Sequence, residues 1–161
     1  MARITAEQRA SNKAEYDALV LRIFVEEGWD HVTYDRLSKE LGIRKSTLQG
    51  YYENRLMFAT ALQGKILPHV MQKLDVNSSE GFIRSWFDAY WDHEDHVFRE
   101  VVRMLVTSVV DSGSGAVQIK RAINQIESVL SNNIGKEEAR KTMEIVFGKI
   151  IFIYMEQLVS K

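Results

Sequence analysis

Only one proline, Pro68, interrupts this chain of 161 residues, and apolar side chains recur along nearly all of it at spacings of three and four. That spacing places them on one face of a helix, whereas a strand would need alternation. Long periodic segments with so few breakers predict an all-α protein. With 45% hydrophobic and 27% charged residues the composition is that of a globular chain, long enough for one ordinary core or for a small head on a larger body. Cysteine is absent, which removes disulfides, thiolate nucleophiles and cysteine metal sites and fits the cytoplasm. No signal peptide is expected at the N-terminus. The most apolar run, Ile145 to Met155, is interrupted by Gly148 and Lys149 and is too short to span a bilayer.

The stretch from Asp35 to Tyr52 carries the clearest functional signal. Leu37 and Leu41 share a helical face, Gly42 sits where that helix must stop, Ile43 follows as an apolar plug, and Leu48 continues the seam. Glycine ends a helix readily because it takes the left-handed conformation without a clash. The second helix, about Lys45 to Tyr52, then exposes Arg44, Lys45, Ser46, Thr47, Gln49 and Tyr51. A short helix anchored by leucine, with donors on its free face, suits the major groove of DNA. A plain two-helix corner has the same outline, so the flanks matter. Upstream, Tyr16, Leu19, Val20, Ile23 and Phe24 form the inner face of a helix over about 10–27, closed by Gly28, with Trp29 as core filler. Residues 1–12 are read as a frayed polar arm. Thr33 is an N-cap for a helix starting at Tyr34, and a capping hydroxyl can also meet a phosphate.

The run from Tyr16 to about Leu62 resembles the N-terminal domain of the TetR/AcrR family of bacterial transcription regulators. Phe24, Gly28, Thr33, Leu37, Gly42, Ile43, Lys45, Thr47, Leu48, Tyr51, Tyr52 and Arg55 stand where that pattern asks for such residues. Three places depart from it: Arg44 replaces a small capping residue, Gln49-Gly50 replaces Tyr-His, and Glu53 replaces proline. The resemblance, together with the exposed donors of the second helix, implies DNA contacts from Thr33, Tyr34, Arg44, Lys45, Ser46, Thr47, Gln49, Gly50, Tyr51 and Arg55. By the resemblance Lys45, Thr47, Tyr51 and Arg55 would serve mainly the phosphates, while Gln49, a departure from the pattern, can offer a bidentate pair to an adenine edge. The net charge of −1 is low for such a role, and residues 1–56 carry as many acids as bases. Distribution matters more than the sum at close range: Arg36, Lys39, Arg44, Lys45 and Arg55 gather near the second helix.

Residues 57–161 read as a helical body. A helix from Asn54 to about Leu74, bent at Pro68, would connect head and body, after which Asp75 to Glu80 is a polar break. Between Ser79 and about Trp91, the rows Phe82, Trp86, Tyr90 and Ile83, Phe87, Trp91 exceed what one helix contact needs. Trp86, Phe87, Tyr90 and Trp91, with Met104, are therefore the expected lining of a pocket for a small apolar or aromatic effector. Asp92, His93, Asp95 and His96 have metal-ligand chemistry, but acids at a helix start are ordinary; no metal or other cofactor is expected. A buried helix over about 95–111, an open turn at Ser112–Gly115, and helices over about 116–132 and 136–159 complete the chain, about nine helices in all. Ile119, Ile123 and Ile126, together with Phe147, Ile151 and Tyr154, are the expected dimer interface, because the last helix is apolar almost all round. In the family the last two helices also pair.

Together these features predict an all-α, homodimeric, cytoplasmic DNA-binding regulator, a repressor reading a palindromic operator in double-stranded DNA and released by an effector. The rival is a helical dimeric interaction protein with a degenerate helix-turn-helix that regulates through a protein partner. No catalytic constellation supports an enzyme, and no membrane role is expected.

Overall fold

The computed structural model of the protein describes residues 3–109 and 114–160, and among them every regular element is helical. Helix α1 spans Ala6–Glu27. It begins before the expected start near Ala10 because the Thr5 hydroxyl accepts a bond from the Gln8 amide at 3.0 Å, satisfying one of the amides that a helix start leaves open. The polar arm is thus helical from Ala6 onward. Tyr16, Leu19, Val20, Ile23 and Phe24 are buried along α1, and Gly28, at φ 93°, ends it.

A 3-10 turn at Trp29–His31 leads into α2, Tyr34–Leu41. The Thr33 hydroxyl caps α2 through the Arg36 amide at 3.1 Å. Gly42 adopts φ 66°, ψ 28°, the left-handed conformation expected of it, which brings the Ile43 amide back to the Ser38 carbonyl at 3.2 Å. Helix α3 covers only Lys45–Gln49 and gives way at Gly50, short of the expected Tyr52. Tyr52 is instead buried, and its hydroxyl donates to Asp17 Oδ1 at 2.6 Å.

The connector also departs from the expectation. A 3-10 segment, Arg55–Leu62, capped by Asn54, is followed by a break at 63–65 and by helix α4, Ile66–Gln72. The bend therefore lies at Gly64, at φ 69°, and Pro68 falls in the first turn of α4. There its missing N–H is one that no carbonyl of the helix would have used.

Helix α5, Ser79–Tyr90, is capped by Ser78 and buries Phe82, Trp86, Ala89 and Tyr90. Helix α6, Val97–Val109, buries Phe98, Val101, Val102, Met104 and Leu105; it packs on α5 and on the Trp29–His31 turn. Helices α7, Ser114–Ile134, and α8, Lys136–Val159, pack along one another. Of the open turn expected at Ser112–Gly115, Ser112 and Gly113 lie outside the described residues, and α7 is formed from Ser114. Among the described residues no helix is long and apolar enough to cross a membrane.

Candidate nucleic-acid interface and body cavity

Leu48 is the buried anchor of α3, while Arg44, Lys45, Ser46, Thr47, Gln49 and Gly50 are exposed. The pattern follows from the five-residue length: one turn can hide one side chain behind α2, and the others face outward. Arg44 occupies the N-cap position without capping through its side chain. Lys45 forms an ion pair with Asp35; both are exposed, so the pair exchanges readily with solvent or another anion. Thr33, half-buried, already uses its hydroxyl oxygen as the α2 cap, leaving its proton to offer.

Three residues implied as DNA contacts are held within the head. The Tyr34 hydroxyl donates to the Tyr52 carbonyl at 2.6 Å and its ring packs on Phe58, with centroids 4.9 Å apart. Arg55 donates from Nε to the Val32 carbonyl at 3.0 Å and from Nη2 to the Trp29 carbonyl at 2.6 Å, and lies 4.8 Å from the Trp29 ring centroid. Its fork closes the loop between α1 and α2. Tyr51 is half-buried, edge-on to Tyr16 at 5.0 Å, with its hydroxyl accepting from Asn12 Nδ2 at 3.1 Å.

Arg9 lies in the arm that the sequence reads as polar and frayed. Its guanidinium lies 4.4 Å from the Tyr51 ring centroid and donates to the Gly50 carbonyl at 2.5 Å, so α1 holds the end of α3. Residues 41 apart in sequence leave no local signal of such a contact. The same holds for Asp17, whose carboxylate takes the Tyr52 hydroxyl. Burial, then this bond, pushes the Tyr52 phenol well above its ordinary pKa. The basic cluster also thins out: Arg36 pairs with Glu27 at 2.6 Å and with Glu40. Its hydrogen bond holds the Glu27 carboxyl below the usual range. Lys39, Arg44 and Lys45 remain exposed beside α3.

In the body, the expected aromatic pocket is filled. Trp86 is buried within a ring cluster, its centroid 5.7 Å from Phe82, 5.2 Å from Phe98 and 5.6 Å from Phe147. Tyr90 is buried, Phe87 is half-buried beneath Lys149, and Trp91 is 47% exposed. Of the five expected lining residues, Phe87 borders an open depression with Lys149, Phe152 and Ile153, and Met104 lines a more enclosed cavity. That cavity, about 460 Å³, lies between the 3-10 segment, α4, α6 and α7, and its walls include Leu62, Leu67, Met71, Leu105 and Ile126. Tilted and edge-on rings fill the space around Trp86, whereas the smaller side chains of α4 and α7 leave a cavity.

The interface residues divide similarly. Ile119 and Ile126 are buried in the cavity wall, Ile123 is half-buried, and Phe147 and Tyr154 are half-buried against the body. Ile151 is exposed, and with it Ile145, Phe152, Met155, Leu158 and Val159. The apolar outer stripe of α8 therefore starts at Ile145 and runs past Tyr154 to the helix end.

The Asp92–His96 segment serves as structure. Asp92 Oδ1 accepts from the Glu94 and Asp95 amides, Asp95 Oδ1 from the Val97 amide, and Lys73 and His69 pair with Asp95 at 2.7 Å each. Burial works against the charge on Asp95, but Lys73, the Val97 amide and His69 outweigh it and hold its carboxyl below the ordinary value. His96 Nε2 bonds the Val25 carbonyl at 2.7 Å. Among the described residues no group of three or more such side chains is placed to hold a metal ion.

Residues 63–154 match the family model of the tetracycline repressor LuxT C-terminal domain, a span that covers most of the body. No curated protein matches the chain. With more than half its length matched and an all-helical fold behind the match, the chain belongs to the tetracycline-repressor family of transcription regulators.

Proposed function

We propose that the protein is a DNA-binding repressor that reads a palindromic operator as a cytoplasmic homodimer and is released when an effector fills the body cavity. The observation that carries the DNA reading is α3 itself: one buried leucine, and Arg44, Lys45, Ser46, Thr47 and Gln49 all exposed beyond a left-handed Gly42 turn. Such a face can offer charge to phosphates and a bidentate amide to an adenine edge. The head, residues 1–56, would be the reading module and residues 57–161 the regulatory one. The exposed apolar stripe on α8 supports pairing with a second copy, since a contiguous apolar patch of that kind is uncommon on a monomer.

Helix α6 supplies a route between the two functions. Val101, Met104 and Leu105 line the cavity, while Glu100 accepts the Trp29 amide at 3.1 Å and Arg103 pairs with Asp30. A ligand that shifts α6 moves the exit of α1 with it. Only a ligand with different affinities for the two states will change DNA binding.

The rival, regulation through a protein partner, is favoured by the brevity of α3, which ends at a glycine. Selection of bound fragments from random duplex DNA separates the two. The repressor reading expects a two-fold symmetric sequence whose binding weakens steeply with salt; the rival expects no enriched sequence at any salt concentration.

A further inference from the structure

The wall of the body cavity selects a ligand chemistry. Its apolar lining among the described residues is aliphatic or thioether, and the wall includes no aromatic ring and no acid. Methionine adapts to irregular flexible shapes, and without rings a planar aromatic ligand has nothing to stack on. The polar lining groups, Gln63, Gln118, Arg121 and Gln125, come from the end of the 3-10 segment and from α7. Gln63, Arg121 and Gln125 are exposed, which puts them at the mouth. Gln63 Nε2 donates to Gln118 Oε1 across that mouth, one residue before the Gly64 bend. Arg121 gives the mouth a positive charge that no lining acid offsets, so an anionic or accepting head group is matched there and a cation is not.

We propose that the cavity binds a flexible saturated chain with an anionic head group, a medium-chain carboxylate being its simplest member. The chain lies among Leu67, Met71, Met104, Leu105 and Ile126, and the carboxylate meets Arg121. A volume of about 460 Å³ falls within the range of small-molecule sites. This inference rests on the reading of the cavity as the effector site.

Decanoate, decanol and decyltrimethylammonium share a tail and differ in the head, and calorimetry on the full chain without DNA compares them directly. Decanoate should bind saturably and raise the melting temperature, and decyltrimethylammonium should do neither. Arg121→Gln should weaken decanoate about tenfold, the loss of one charge-assisted hydrogen bond, and leave decanol unchanged. Ala122→Phe, which fills the cavity from α7, should abolish decanoate binding in protein that keeps its helical circular dichroism. Equal binding of the ammonium compound overturns the proposal, as does undiminished decanoate binding by folded Ala122→Phe protein. If that variant does not fold, the Arg121→Gln comparison decides alone. Duplex release is followed separately by anisotropy: saturable decanoate binding without release keeps the ligand assignment and overturns its role as effector. No binding by calorimetry overturns the ligand class whatever the DNA result.

Discussion

The resemblance leads one to expect both Arg55 and Lys45 at phosphates, but their surroundings differ. Arg55 spends its guanidinium on the Val32 and Trp29 carbonyls, whereas Lys45 meets only an exposed acid, Asp35. Arg55→Ala should therefore lower stability by about 2 kcal/mol, because two carbonyls lose a charged donor, while Lys45→Ala should stay within about 0.5 kcal/mol. Denaturant midpoints check both; equal, small effects would return Arg55 to the DNA face. Tyr52 makes a second prediction, about pH. Its phenol is raised above the ordinary 10.0, first by burial and then by Asp17. The folded state thus favours the neutral form, and the stabilisation is fully present below pH 10.0 and lost as pH rises beyond it. Tyr52→Phe should cost about 1 kcal/mol at neutral pH and flatten the alkaline fall in stability. An unchanged alkaline limb would assign that fall to other groups.

At the scale of elements, the helix starts and stops were legible where one residue decides them. Thr33, Gly28 and Gly42 perform the cap and stops read from sequence, because the chemistry of each is local. The connector was not legible, since proline is the stronger breaker in general and its position within the helix is what neutralises it here. Pro68 falls in a first turn, and the bend goes to Gly64. The covering of Trp86 and Tyr90 was hidden for a related reason: spacing put aromatic rings on one face of α5 but could not say whether other rings would cover them. A Cβ at Gly64 meets nothing within 4 Å, so Gly64→Ala isolates the backbone term. It should destabilise the protein by about 1 kcal/mol, the left-handed penalty for a residue with a side chain. No loss in thermal unfolding would mean that the connector accepts a straight path.

Among the described residues, an apolar stripe along α8 is left uncovered. Phe147 packs on Trp86, so a charge there would damage the chain's own core. Ile151 and Phe152 are 46% and 65% exposed, so substitution there spares the core. Ile151→Glu with Phe152→Glu should give a folded monomer by light scattering, because each copy of an α8 interface would bury unpaired charge. A persistent dimer would place the interface on another surface. The family membership was legible from the head, by resemblance, while the match that shows it lies in the body. Base reading by α3 is tested most directly by titrating Gln49→Ala against the selected duplex and its single-pair variants. The expected result is a loss of about 1–3 kcal/mol confined to one A·T pair per half-site, with non-specific binding nearly unchanged. Equal weakening on every sequence, or binding indifferent to salt, would contradict it.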